Sequence, residues 1–261
     1  GYFPASCMEE TTGIIAGNII AITNNLQKKN LLLSSKTSTT LTEEEANLLP
    51  LGCRPSFNAH FLDNTIYNHN PLMRFAGGHY HFSALGYINQ THLNYVDSSN
   101  YSIYNQQQLD EFNSHFSLLA LNMEDRIAIV NPIIKALDAS IGVLSVAIAG
   151  DLDDPQRRSH HYGMAGDYRL TKRTLEYRTP SNVTWQSPVT WNIMGMIGRE
   201  IVKAYLYRNN NNLCEYFNNL PHYPEIVDII NNTDVVASRK YINKHFKNML
   251  KHFTTSALNY Y

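Results

Sequence analysis

The segment Leu72–Phe82 constrains this chain most. Its residues Arg74-Phe75-Ala76-Gly77-Gly78-His79-Tyr80-His81-Phe82 read as a β-strand broken at the paired glycines. Side chains on a strand alternate between faces, so His79 and His81 point the same way. Two glycines ahead of them mark a place where a ligand or another backbone comes close. Neutral imidazole is a metal ligand. The bland alternative is two histidines on the polar surface of a strand.

A second segment has the same character. Tyr168–Arg169 and Leu175–Thr179 read as the arms of a β-hairpin. Glu176 and Arg178 then share a face, and Tyr177 lies on the other. A carboxylate beside a guanidinium can serve two ends of one ligand: Glu176 can hold a divalent cation through oxygen, and Arg178 can fork onto a phosphate or carboxylate. Arg157, Arg158, Arg169 and Arg173 add cations nearby. The alternative is a solvated hairpin whose charges pair with one another at little gain in stability. Glu9 and Glu10 close a weakly alternating stretch, residues 1–12, that reads as a strand and puts them on opposite faces. Asp151, Asp153 and Asp154 read as a loop turn before Pro155.

The remaining elements set the fold class. Apolar residues at Ile15, Ile19, Ile22 and Leu26 predict a helix over 14–26. Thr42-Glu43-Glu44-Glu45 is a capping box ahead of a short helix. Spacing also predicts helices over 109–121, 126–137, 189–207 and much of 223–253, with an Asn-rich loop at 209–212. Val143–Ala149 is a continuous apolar run of strand length, and residues 89–107 read as a polar loop. Strands and helices interleave without a strict βαβ rhythm, which favours an α+β fold with a mixed or antiparallel sheet.

Composition narrows the functions. The chain has 261 residues and a net charge of −1, with 43% hydrophobic and 16% charged residues. No basic excess points to a nucleic-acid groove. No apolar run approaches the ~20 residues that span a membrane. Cys7, Cys53 and Cys214 form no metal pattern and cannot all pair, which implies a reduced, cytoplasmic compartment. P-loop, dinucleotide-binding and nucleophile-elbow motifs are absent from the sequence.

In this order the pieces resemble one family, the phage-type carboxylate–amine ligases (amidoligases), related to glutamine synthetase and glutamate–cysteine ligase. The resemblance runs over roughly residues 1 to 200. Cys7-Met8-Glu9-Glu10-Thr11-Thr12 resembles the family strand that ends in a metal-facing Glu. Gly52-Cys53-Arg54-Pro55-Ser56-Phe57-Asn58-Ala59 resembles its Gly-Cys-x-Pro-x-x-x-Ala element. Arg74 to His81 resembles its Arg-x-x-Gly-Gly-His-x-His strand. Arg157-Arg158, then Tyr162-Gly163-Met164-Ala165-Gly166-Asp167-Tyr168-Arg169, then Glu176-Tyr177-Arg178-Thr179 resemble its last motifs.

The resemblance implies a glutamine synthetase-like half-barrel, an antiparallel sheet curved into a funnel with helices on its outer face. It implies a catalytic core at 1–208 and a helical extension packed on it at 209–261. A Glu-x-Glu strand is expected ahead of Gly1. It also implies ATP and Mg2+ (or Mn2+), with small-molecule or peptide carboxylate and amine substrates, and neither nucleic acid nor membrane as partner. His79, Glu176 and Glu9 or Glu10 would hold the metal. Arg158, Arg169 and Arg178 would be catalytic, binding phosphates and an acyl phosphate. Arg74, Gly77, Gly78, His81 and Arg173 would line the substrate and nucleotide. Glu176→Gln would abolish activity and leave the fold intact. If the source is viral, the setting is host cytoplasm. Other readings are a non-catalytic ligase fold used as a homo-oligomer or in a virus particle, and a metal-dependent hydrolase using His79, His81 and an aspartate.

Overall fold

A computed structural model describes residues 8–32, 38–48, 57–60, 72–75, 77–82, 124, 126–150, 155–159, 162–170, 174–181, 187–207, 210–220 and 223–253. The predicted helix at 109–121, the loop at 89–107, the aspartates at 151–154, Arg173, and 52–56 of the Gly-Cys element lie outside these residues.

Helix α1 spans Met8–Gln27. Over residues 8–12 this corrects the strand expected at 1–12, since the helix marked by Ile15, Ile19 and Ile22 extends back to Met8, and residues 1–7 lie outside the described ones. The capping box forms as expected. Thr42 N–H donates to Glu45 Oε2 at 2.9 Å, and Glu45 N–H donates to Thr42 Oγ1 at 3.2 Å, ahead of α2, Glu43–Leu48. Thr42→Ala removes the cap, and amide exchange at Glu45 is expected to quicken about fivefold; unchanged exchange would show that the box adds nothing to α2.

The largest correction concerns Val143–Ala149, which is helix and not strand. It ends helix α3, Ile127–Ala149, where α-helical turns alternate with wider π-helical ones at Arg126–Val130 and Asp138–Gly142. Contrary to the reading that no apolar run nears membrane-spanning length, α3 is long and apolar enough to cross a membrane. Its surroundings explain that composition. Val130, Ile133, Ile134, Leu137 and Ile141 are all fully buried, because α3 packs against α5 (Pro188–Tyr207), α7 (Tyr223–Asn231) and α8 (Val235–Leu250). A helix covered on most sides loses its polar stripe. The expected Asn-rich loop gives way to α6, Asn211–Asn218, with Asn210 as the cap that accepts from Leu213 N–H.

Two antiparallel sheets complete the described fold. One pairs β1 (Ser38–Thr40) with β3 (Met73–Phe75). The other has the order β2-β5-β6-β4, from Phe57–Asn58, Asp167–Leu170, Leu175–Tyr177 and Tyr80–Phe82. The expected hairpin is β5–β6, and the expected break at Gly77-Gly78 separates β3 from β4. Register sorts the larger sheet into two chemically distinct faces. Phe57, Tyr168, Tyr177 and Tyr80 are successive cross-strand partners and form an aromatic row toward the core. Arg169, Glu176 and His81 are cross-strand partners on the opposite face.

Candidate active site

Glu176 is 1% exposed and lies at the centre of the ionic face. Its Oε1 is 2.9 Å from Arg178 Nη1 and 3.3 Å from His79 Nδ1, and its Oε2 is 2.6 Å from Arg169 Nη2. The Arg169 contact is an ion pair without good hydrogen-bond alignment. Tyr162 closes a ring on the far side. Arg178 Nη2 donates to the Tyr162 hydroxyl at 3.2 Å, and that hydroxyl lies 3.2 Å from His79 Nε2. A carboxylate only accepts, so His79 carries its proton on Nδ1 and takes the Tyr162 proton at Nε2. The donors thus run from Arg178 through Tyr162 and His79 to Glu176. Burial pushes the His79 imidazole below its usual range, against the pull of Glu176, which suits this neutral tautomer. Phe75 stacks on Tyr162 and steadies it.

The glycines expected as a close-approach point are packed against protein. A Cβ at Gly77 would run into the Arg157 guanidinium, and one at Gly78 would run into the Trp191 ring. Gly78 N–H also donates to Pro180 O at 3.1 Å, tying the β4 lead-in to the strand end beyond Glu176. Gly163 and Gly166 have φ of +71° and +87°, which only glycine adopts without strain. They let Tyr162–Asp167 turn tightly enough for Asp167 Oδ2 to accept from Met164 N–H at 2.9 Å. The Gly-Cys element and the Tyr-Gly motif meet here: Asn58 Nδ2 donates to Ala165 O and Asp167 Oδ1, both at 2.9 Å.

Arg157 and Arg158, on the short helix α4 (Pro155–Ser159), are essentially fully buried. Arg157 donates to Pro180 O at 3.3 Å, and Arg158 donates to Gly163 O, to Thr179 O at 3.1 Å and to Ser181 Oγ at 3.0 Å. These bonds brace the turn and strand that carry Tyr162 and Arg178. His81 is exposed, with Nδ1 3.1 Å from Thr174 Oγ1. Arg74 donates to Ala46 O at 2.9 Å on the smaller sheet. Glu9 and Glu10 lie in the first turn of α1. The structure therefore brings together His79, Arg169, Glu176 and Arg178. It adds Tyr162, a residue the sequence reading quoted within a motif without giving it a role.

Burial pushes the Glu176 carboxyl up, but the His79 hydrogen bond and the Arg178 and Arg169 charges outweigh it and hold the pKa at about 2. The folded value lies below the usual 4.5 of an unfolded chain. The group therefore adds stability above pH 4.5 that is lost as pH falls toward 2. The contribution is on the order of 3 kcal/mol. Chemical denaturation between pH 6 and pH 2 is expected to show this loss, and Glu176→Gln is expected to flatten it.

Neither a curated protein nor a solved structure matches this chain. One family does: residues 115–240 match the family described as phage phiEco32-like COOH.NH2 ligase-type 2, a span that includes Arg157–Arg178 and reaches into α8. That is the phage-type carboxylate–amine ligase family the motifs resemble, and the match supports a carboxylate–amine ligase function in general terms.

Proposed function

We propose that the chain is an ATP-dependent carboxylate–amine ligase that works through an acyl phosphate. The observation that supports this reading is the pair of guanidiniums held on the Glu176 carboxylate. Arg169 and Arg178 both pair with the buried Glu176 carboxylate, and His79 lies beside it. Arg169 is 30% exposed, so its guanidinium lies within reach of an anionic ligand arriving from solvent, and a guanidinium forks well onto phosphate. Phosphoryl transfer calls for that contact, since its catalysis is largely positioning and stabilisation of phosphate charge. A substrate carboxylate oxygen attacks the γ-phosphorus and ADP leaves. The amine then attacks the acyl carbon, phosphate leaves, and the amine gives up a proton. Arg169 and Arg178 would hold the transferring phosphoryl group. Arg158 and Arg157 would keep the Tyr162 turn and the Arg178 strand in place.

The reading also calls for Mg2+ or Mn2+. Among the described residues no three His, Cys, Asp or Glu side chains gather to hold an ion. Guanidiniums engage both Glu176 oxygens, whereas magnesium requires a near-octahedral set of oxygens. The described donors do not fit the ion. The sheet β2-β5-β6-β4 would be the described part of the half-barrel, and the setting would be the cytoplasm, that of the host if the source is viral.

The test is ADP release from ATP with magnesium, against a panel of carboxylates and amines, together with nucleotide binding by calorimetry. Amine-dependent ADP release is the expected result. Absence of both turnover and nucleotide binding would overturn the enzyme reading and favour the non-catalytic, assembly role.

A further inference from the structure

We propose that Asp138 is a positioning residue of this site, clamping Tyr177 from behind the sheet and so fixing the strand that presents Glu176 and Arg178 on its front. The proposal rests on the reading of that cluster as the ligase's anion-binding centre.

Strand alternation puts Tyr177 between Glu176 and Arg178 but on the opposite face. Its side chain is fully buried, and its hydroxyl donates to Asp138 Oδ1 at 2.6 Å. Asp138 is itself fully buried, and its other oxygen lies 3.0 Å from His60 Nε2, just beyond β2. A buried carboxylate is retained at a cost in desolvation, and here each oxygen has a partner from a different strand region. Asp138 opens the π-helical segment Asp138–Gly142, a rare widening of the helix that tends to accompany function. The packing leaves the phenol little freedom. A Cβ at Gly142 would approach the Tyr177 hydroxyl to 2.6 Å, so only glycine gives it room.

A second tether acts on the partner strand. Tyr168 is the cross-strand partner of Tyr177, and its hydroxyl donates to Asn131 Oδ1 at 3.2 Å. Asn131 and Asp138 are seven residues apart, about two turns along the same helix. The β5–β6 hairpin is thus fastened to α3 at two points, directly behind the Arg169–Glu176 pair. Asp138 touches none of the front-face groups and acts on them through Tyr177. A shift of about 1 Å in a catalytic group can cost about 100-fold in rate, so the tether governs function more than its own bond strength suggests.

The experiment compares Tyr177→Phe, Asp138→Asn and Asp138→Leu in the full chain. Three readings are taken: thermal midpoint, inorganic triphosphate affinity by calorimetry, and the 15N guanidinium signals of Arg169 and Arg178 without ligand. Tyr177→Phe is expected to move the guanidinium signals and weaken triphosphate binding about tenfold. Asp138→Leu should do the same. Asp138→Asn keeps an oxygen for the phenol and should restore most of the affinity. Wild-type signals and affinity in folded Tyr177→Phe would overturn the proposal, whatever the midpoint does. That variant decides the matter alone if Asp138→Leu does not fold. If the wild-type chain binds no triphosphate, the ligase reading falls, and the guanidinium signals still decide the tether.

Discussion

Glu176→Gln is expected to remove ligase activity and to lower the thermal midpoint by roughly 6–12 °C, a loss of about 3 kcal/mol. The family resemblance implies that the substitution leaves the fold intact. The structure changes that expectation. Glu176 is the acceptor for Arg178 at 2.9 Å and the counter-charge of Arg169 at 2.6 Å, and Arg178 is fully buried. Glutamine keeps the shape and loses the charge, so the guanidiniums face each other without it. Breaking a buried pair from one side leaves the other charge uncompensated, which is what makes the loss large. Urea denaturation at pH 7 measures it. A midpoint within a degree of wild type would show that the charges around Glu176 balance without it.

The second large effect is expected at Gly78→Ala. The added methyl would run into the Trp191 ring and come within 3.0 Å of Ser181 O. Trp191 cannot give way cheaply. Its ring stacks on Tyr80 with centroids 4.1 Å apart, and its carbonyl accepts from the Tyr80 hydroxyl at 2.6 Å. Overpacking of this kind costs about 2 kcal/mol, or roughly 4–8 °C in midpoint. Gly195→Ala, also beside Tyr80, is the control. Its methyl would meet Tyr80 Cε1 at 3.1 Å, and alanine in a helix interior gains about 1 kcal/mol over glycine. A near-neutral Gly195→Ala beside a destabilised Gly78→Ala is the expected pattern in thermal unfolding. Equal effects would mean that the contact with Trp191 is not what requires a glycine at position 78.

What the sequence conveyed about this fold followed from how local the signal was. The hairpin, the capping box and the helices over 14–26 and 223–253 carry their periodicity within themselves, and they formed as expected. Val143–Ala149 did not, because an apolar run without alternation reads equally as a buried strand or a buried helix. Only the neighbours α5, α7 and α8 decide between them. Strand alternation put Glu176 and Arg178 on one face, and the family resemblance implied that His79 joins Glu176. Tyr162 was visible only as part of a glycine motif whose turn had to be built before the hydroxyl could be placed. Asp138 left no signal. A single aspartate just past the helix expected over 126–137 carries no pattern of its own, whereas here its exposure is 0%.

The two unlike faces of the larger sheet have a further consequence, for how the chain finds its fold. Slipping β6 by one residue against β5 would send Glu176 and Arg178 into the apolar interior and bring Tyr177 out among the arginines. Such a hairpin would strand two charges and cost Tyr177 its bond to Asp138 at once. Mispaired arrangements of this hairpin are therefore rejected when it packs against α3, which supplies both the interior and the tyrosine partners. The chemistry of the site acts during folding as a proofreading device for the strand that carries it.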